Sequence, residues 1–138
     1  MRGCPFQLGS YRGEESLVHS GAGVLYRAQG KTWPGGPPHY VGLFLLDENF
    51  VKDGVLLSRF RDGLARSSGL SHPNLMQVLE FGESKQETFL VTDWVPGKPI
   101  SRFSGHLSAR GRPWPVSEAI TIAVEVAKAL ALGDQFFQ

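Results

Sequence analysis

"HYVGLFLLDEN", residues 39–49, carries near-continuous apolar side chains and no Asp, Glu, Lys or Arg before Asp47. The apolar residues of this stretch are Tyr40, Val41, Leu43, Phe44, Leu45 and Leu46. A short apolar run of this kind is typical of a β-strand with two apolar faces. We therefore predict a strand that the rest of the fold covers on both sides.

The length and composition are those of one domain or part of one, with 138 residues of which 41% are hydrophobic. The 14 basic and 13 acidic residues are scattered and give a net charge of +1, which excludes the basic stripe of a nucleic-acid binder. A single cysteine, Cys4, excludes an intrachain disulfide and fits a reducing compartment. We see no signal peptide and no run near the roughly 18 apolar residues of a membrane span, so we expect a cytoplasmic protein.

The first part of the chain predicts antiparallel strands. Residues 1–10 form a loose leader, and two short strands over 11–18 and 23–29 flank the small-residue turn "HSGAG". This pattern indicates a hairpin that uses Gly21 and Gly23 for positive φ. The Gly- and Pro-rich segment "GKTWPGGPP" then predicts a surface loop that leads into the apolar strand.

A helix and two more strands follow. Apolar residues recur at spacings of three to five between 48 and 70, which predicts one amphipathic helix, with "DG" as the place for an irregular first turn. Pro73 stops this helix. Strands over 75–81 and 88–95, joined by the polar "GESKQE", predict a second hairpin. The fold class is therefore α+β: a five-stranded antiparallel sheet with one helix, followed by C-terminal helices.

Helices are predicted for the last part of the chain. The break "PGKP" at 96–99 precedes a short helical stretch over 100–107, and Ser117 can cap a longer helix. Apolar residues of the longer helix fall at helical spacing, namely Ile120, Val124, Ala127, Leu130 and Ala131. Glu125 and Lys128 lie one helical step apart, which predicts a surface ion pair.

The order of the predicted strands and helices, together with the residues within them, resembles the small lobe and first large-lobe helices of bacterial-type serine/threonine protein kinases. "GVLYRA" is similar to the end of the Gly-rich hairpin, "YVGLFLL" to the third strand, "RFRDGLARSSGLSHPNL" to the regulatory helix, and "TFLVTDWVPGKPI" to the fifth strand and hinge. The resemblance covers roughly residues 8–132, less than half of a complete kinase domain. It implies a leader at 1–10, a kinase-like small lobe at 11–95, and a hinge with incomplete large-lobe helices at 96–138.

The resemblance implies a degenerate nucleotide site. The three glycine positions of the family's hairpin fall on Val18, Ser20 and Gly23, so one glycine survives, with Gly21 as an extra. The hairpin is either a phosphate cradle or an ordinary tight turn, and the stiff Val18 favours the turn. The residues that match nucleotide-contacting positions of the family are Gly21, Gly23, Leu25, Asp93 and Val95.

The charged residues that kinase chemistry needs are missing from the matching positions. Phe44 stands where the third strand carries a lysine, and Gly63 stands where the helix carries that lysine's glutamate partner, with Asp62 one residue away. Loss of both the lysine and the glutamate destabilises the fold less than loss of one of them, because the remaining partner would be left as an unpaired buried charge. Lys31 and Lys52 are the nearest lysines in sequence.

The family's catalytic loop and Asp-Phe-Gly metal motif do not occur in these residues. No catalytic base and no metal ligand can therefore be named, and we expect ATP and magnesium only if the degenerate site still binds them. His72 is expected to be structural. The other histidines have no Cys or carboxylate at ligand spacing.

These features predict a truncated, pseudokinase-like domain that is inactive alone and acts by contact with another protein, self-association through the C-terminal helix included. The alternative is a fragment of an ATP-binding serine/threonine kinase whose catalytic large lobe lies outside this chain, including half of a split kinase. A remnant without independent function is a further interpretation. No nucleic-acid or membrane partner is expected.

Overall fold

The computed structural model describes residues 3–30, 39–84 and 87–136. The chain divides into two compact units. The first unit comprises residues 1–68 and 76–95, and the second comprises residues 69–75 and 96–138. The predicted Gly- and Pro-rich loop and Lys31 lie outside the described residues.

The first unit contains an antiparallel sheet of six strands in the order β1-β2-β3-β4-β6-β5. The strands are β1 Phe6–Leu8, β2 Tyr11–Ser20, β3 Gly23–Gln29, β4 Tyr40–Leu46, β5 Val78–Ser84 and β6 Glu87–Asp93. This confirms the α+β class and the presence of the five predicted strands. The prediction of residues 75–81 was wrong in its bounds, because β5 begins at Val78 and includes Gly82, Glu83 and Ser84 of the predicted turn. The sixth strand, β1, lies within the predicted leader.

Strand β1 pairs with β2 along its three residues, and its Phe6 ring packs against Tyr26 of β3. Phe6 pairs with Gly13 of β2, and the Phe6 ring meets the Tyr26 ring edge to face at a centroid distance of 4.8 Å. A Cβ at Gly13 would lie 2.4 Å from the Phe6 ring, so the missing side chain makes room for it. A contact between residues this far apart in sequence cannot be deduced from three strand residues alone, which explains why β1 escaped prediction.

The predicted helix of residues 48–70 is divided into α1 Glu48–Lys52 and α2 Gly54–Ser67. Asp53 separates them because it has an extended backbone, and its Oδ1 accepts hydrogen bonds from the backbone N–H groups of Val55 and Leu56 at 3.1 and 3.0 Å. Its own N–H donates to the Asn49 carbonyl at 3.2 Å. One aspartate thus ends α1 and caps α2. The break falls at the "DG" where an irregular turn was expected.

One face of β4 lies in the core of the first unit. Val41, Leu43 and Leu45 alternate along the strand and are buried. They pack in one cluster with residues of the other strands: Leu8, Tyr11, Tyr26, Ala28, Phe89 and Val91. Helix α2 contributes no buried residue. It is attached at β5 instead, where Phe60 contacts Phe81 at a centroid distance of 6.1 Å.

The second unit contains α3 Ile100–Ala109, α4 Val116–Phe136 and the turn of residues 69–75. His72 Nδ1 accepts the Asn74 backbone N–H at 3.0 Å, so this histidine has the structural role expected of it. The Asn74 amide donates to the carbonyl and carboxylate of Glu125 at 3.0 and 2.6 Å, which fixes the turn to α4. The predicted ion pair is present, with Lys128 Nζ 2.6 Å from Glu125 Oε1.

Within the described ranges, no helix combines the length and the apolar character that crossing a membrane requires.

Tyr11 links strands from opposite sides of the sheet. It is buried on β2, its hydroxyl donates a short hydrogen bond to Glu80 Oε2 of β5, and its ring meets Phe89 of β6 at 6.1 Å. In the strand order, β2 and β5 lie on either side of β3, β4 and β6, so this contact requires the sheet to curl. Burial, and then the hydrogen bond and the charge of Glu80, raise the pKa of Tyr11 to about 12.

We expect Tyr11→Phe to lower the free energy of unfolding by about 1–3 kcal/mol, because the partly buried Glu80 loses its donor. The pKa of Tyr11 rises from its ordinary value of 10.0 to about 12 on folding. The folded state is therefore stabilised by keeping Tyr11 protonated. This stabilisation is fully present below about pH 10 and is lost as the pH rises toward about 12. Urea unfolding from neutral to alkaline pH measures both effects.

Tyr40→Phe, which removes a phenol hydroxyl from β4, provides the control. If the difference in stability between the native protein and Tyr11→Phe stayed constant between about pH 10 and 12, the proposed link between Tyr11 ionisation and folding would be wrong.

Candidate functional site

The tip of the β2–β3 hairpin is a tight turn that is hydrogen-bonded to its surroundings. Ser20 pairs with Gly23, which leaves Gly21 and Ala22 as the turn. The Ser20 hydroxyl donates to the Gly23 carbonyl at 3.1 Å, and the Asp47 backbone N–H donates to the Ala22 carbonyl at 2.8 Å. The end of β4 therefore holds the turn in place.

The two glycines of the hairpin differ in what their positions require. Gly23 has a φ of 153°, and a Cβ there would lie 2.0 Å from the Leu45 carbonyl oxygen. Gly21 has no positive φ, and a Cβ there would meet no atom within 4 Å. The prediction of positive φ is confirmed at Gly23 and wrong at Gly21. Close approach of β3 to β4 requires glycine at position 23.

A partly exposed apolar surface lies next to this hairpin. Leu25 of β3 and Leu90 of β6 both pair with Phe44 of β4, and Thr92 of β6 pairs with Gly42. Paired residues of antiparallel strands share a face. We call this surface the Phe44 face; it consists of Leu25, Gly42, Phe44, Leu90 and Thr92. Its three large apolar side chains are half-buried, so Phe44 is not freely exposed to solvent.

Thr92 and Gly42 form the buried end of the Phe44 face, a pairing that the sequence analysis missed. Thr92 is 5% exposed, and a Cβ at Gly42 would lie 2.5 Å from its Oγ1 and 3.5 Å from Leu25 Cδ1. The threonine hydroxyl therefore occupies space that only a glycine leaves open. The small residue within an otherwise bulky strand was the available signal for a close neighbour.

Arg27 is the one cation among the residues of β3, β4 and β6, and it lies on the same face as Leu25. Its guanidinium group is within 3.5 Å of Glu14 and 3.6 Å of Glu15, and it stacks over the Tyr40 ring at 5.4 Å. Lys52, one of the two lysines considered above, lies 2.6 Å from Glu48. Both of these described cations are thus already paired with carboxylates.

Gly63, the residue at the helix-glutamate position, does not contact Phe44. Gly63 is exposed on α2, and a Cβ there would have no neighbour within 4 Å beyond its own helix. Asp62 is exposed as well. The adjacent Arg61 instead pairs with Glu83 at 2.9 Å. The idea that a helix side chain directly faces the ring of Phe44 is therefore not supported.

The hinge residues lie at the end of β6. Asp93 exchanges two hydrogen bonds with Gln77: its N–H donates to the Gln77 carbonyl at 3.0 Å, and its Oδ1 accepts the Gln77 N–H at 2.7 Å. The Asp93 carbonyl accepts the Thr92 hydroxyl at 3.1 Å. Val95 follows and is 53% exposed.

Together, the predicted site residues surround one surface without converging on a charged centre. Gly23 and Leu25 lie on β3, Asp93 ends β6, and the Phe44 face lies between them; Gly21 is at the exposed tip. Among the described residues, no group of three or more His, Cys, Asp or Glu side chains could hold a metal ion. The arrangement offers an apolar platform rather than a set of phosphate ligands. Nucleotide contact by these residues stays a prediction.

Comparison with known proteins identifies related sequences, although no family model matches the chain. It is 27% identical over 90 residues to a probable serine/threonine-protein kinase, PknB, of Lactococcus lactis, covering 65% of this chain and 14% of that protein. It is 26% identical over 125 residues to the serine/threonine-protein kinase pkn3 of Myxococcus xanthus, covering 90% of this chain and 21% of that protein.

Solved structures show the same fold. The kinase domain of PknI from Mycobacterium tuberculosis superposes with a TM-score of 0.76 at 24% sequence identity. The match covers 98% of this chain and 52% of that domain. The chain is therefore a partial kinase-like domain, with the fold of a small lobe and the helices that follow it. It spans about half of the solved domain and a smaller share of the curated relatives.

We expect Gly23→Ala to lower the free energy of unfolding by about 2 kcal/mol or more, because the new Cβ would collide with the Leu45 carbonyl. Gly21→Ala should change it by no more than about 0.5 kcal/mol, since its Cβ would enter open space. Chemical denaturation of the two variants measures the contrast. Equal destabilisation by both substitutions would show that the close contact of β3 with β4 does not restrict which residue can occupy position 23.

Proposed function

We propose that this kinase-like chain does not transfer phosphate itself and acts by contact with another protein, as a pseudokinase-type interaction module. The observation that carries the proposal is the position of Phe44. This ring lies on β4 between Leu25 and Leu90, on the face where the kinase resemblance calls for a lysine.

Electrostatics supports this assignment. Two unit charges 4 Å apart attract by about 4 kcal/mol at an effective dielectric constant of 20, and a phenyl ring contributes no such attraction to a phosphate. Arg27 could supply a charge only by giving up Glu14 and Glu15. Nucleotide binding here would therefore have to rely on apolar contact with the base.

The hairpin tip gives independent support. A phosphate cradle needs backbone N–H groups turned toward the ligand on a segment that can adapt to it. Here the turn is two residues long and is tied to β4 through the Ala22 carbonyl. Val18 and Ser20 place side chains where the family's glycines leave bare backbone.

We expect magnesium and ATP to leave the thermal unfolding midpoint of the complete chain unchanged. A ligand present at about 100 times its Kd would stabilise the folded state by about 2.7 kcal/mol, which calorimetry detects readily. A saturable rise in the midpoint that disappears in Leu25→Glu would place a nucleotide on the Phe44 face and would contradict the expected loss of nucleotide binding.

Helix α4 supplies the surface for protein contact. Ile120, Val124 and Leu130 are 58%, 46% and 68% exposed, whereas Ala129 is 8% exposed. At 100° per residue, the stripe of Ile120, Val124 and Ala127 lies on the side of the helix opposite Ala129. This apolar stripe is therefore directed away from the packed side of the second unit. A surface of this kind marks an interaction site.

We expect Ile120→Glu to weaken self-association of the chain, or its retention of a bound protein, by about tenfold or more, because a carboxylate would be desolvated in the contact. Sedimentation velocity over a range of protein concentrations measures self-association. Ser58→Glu, which adds the same charge on exposed α2, is the matched control. Identical behaviour of the two variants would exclude the α4 stripe as the contact.

A second candidate function is that of one half of an ATP-binding kinase. It is favoured by the coverage of the PknI kinase domain, of which this chain matches 52%. In that case the α4 stripe packs against large-lobe helices. The nucleotide experiment separates the two functions: a saturable thermal shift, with phosphorylation restored on addition of a large-lobe polypeptide, would favour the half-kinase.

A further inference from the structure

The charge of the chain is unevenly distributed, although its basic and acidic totals nearly cancel. Residues 94–117 contain four of the 14 Lys and Arg residues and none of the 13 acidic residues. These four are Lys98, Arg102, Arg110 and Arg112, and all are exposed. Outside this segment the acidic residues outnumber the basic ones. The charges are therefore not evenly scattered along the chain, contrary to the expectation above.

A cavity of about 680 Å³ lies in the second unit beside this segment. Its apolar lining includes Phe103 of α3, Ile122 of α4 and Trp114 from the connection between the two helices. The rings of Phe103 and Trp114 meet edge to face at a centroid distance of 5.0 Å. The volume falls in the range of about 300–1,000 Å³ that is usual for ligand cavities.

Hydrogen bonds shape the connection between α3 and α4 that carries Trp114 to one side of the cavity. The Trp114 indole N–H donates to the Ser104 hydroxyl of α3 at 3.4 Å. Helix α3 ends in a Schellman motif, in which the N–H groups of Gly111 and Arg112 donate to the carbonyls of Ser108 and Leu107 at 3.0 and 2.9 Å. Gly111 provides the required positive φ of 60°. These bonds turn the chain back so that Trp114 faces α3.

Positive charge borders the apolar lining. Lys98 and Arg102 both line the cavity, and within the described part of the chain neither has an ion-pair partner. Glu118 is the single acidic residue in the lining, and its carboxylate accepts a hydrogen bond from Ser117. The border therefore has a net positive charge that no other described residue neutralises.

We infer that this cavity is a docking site for an acidic peptide segment that inserts an apolar side chain between α3 and α4. The apolar lining with its two aromatic rings accepts the inserted side chain, and the carboxylates on either side of it pair with Lys98 and Arg102. Charge complementarity identifies the peptide as acidic. Concavity distinguishes the occupant from a lipid surface, since a flat bilayer cannot fill a concave cavity. The inference goes beyond the proposed function and is independent of nucleotide binding.

The test uses the complete chain and a short fluorescein-labelled peptide in which a Phe-Leu pair is flanked on both sides by glutamates. Fluorescence anisotropy should show saturable binding that weakens as salt is added. The double variant Lys98→Glu with Arg102→Glu should bind about tenfold or more weakly. Arg59→Glu, a charge reversal on α2 of the first unit, is the matched control and should bind like the native chain.

A second readout reports on the cavity itself. Trp114 emission should change on peptide binding, and the change should be absent in Trp114→Phe, which distinguishes it from the signals of Trp33 and Trp94. Circular dichroism of each variant confirms that helix content is retained. A peptide with lysines in place of the glutamates, and one with serines in place of Phe-Leu, should both bind about tenfold or more weakly.

Three results would overturn the inference. Equal binding of the acidic peptide by the native chain and the double variant would remove the role of Lys98 and Arg102. Binding of anionic phospholipid vesicles, but not of the peptide, would identify a membrane surface instead. Dissociation of a dimer by the double variant, with no peptide binding by the native chain, would identify the occupant as a second copy of the chain.

Discussion

The pairing of β4 on both of its edges is the constraint on which the first unit depends. β3 and β6 supply its hydrogen-bond partners, and one of its faces closes the core. Because side chains alternate along a strand, burial of Val41, Leu43 and Leu45 sends Gly42 and Phe44 to the opposite face. A slip of one residue would exchange the two sets and expose the core. The position of Phe44 is therefore fixed by the core rather than by any ligand.

The fold of the chain is that of part of a kinase domain, but the side chains at the candidate site are not those that kinase chemistry needs. The chain keeps the strand order and helices of a kinase-like fold, yet the face beside its hairpin is apolar and Arg27 is held by glutamates. In the second unit, Lys98 and Arg102 line the cavity beside Phe103 and Trp114 and have no ion-pair partner among the described residues. Both units thus expose apolar surfaces, and the proposals made for the two surfaces can be tested separately.

The sequence predicted elements whose signals are local. Apolar alternation and turn residues were sufficient for five of the six strands and for the helices near 100 and 117. Features that depend on distant partners were missed: the Phe6 ring of β1 packs against Tyr26, and Thr92 fills the space beside Gly42. Asp53 was ambiguous because the same side chain can continue a helix or cap a new one. The orientation of Gly63 could not be deduced without knowing where α2 attaches to the sheet.

The anchored hairpin turn has a mechanical consequence. Loops that close over ligands must move as lids, and such motion requires few hydrogen bonds and room for the backbone. Here Asp47 binds the Ala22 carbonyl, and Gly23 is pressed against the Leu45 carbonyl. Opening would break the first contact and closing would tighten the second. The hairpin turn is thus held in one position beside the Phe44 face, which suits a static surface better than a moving lid.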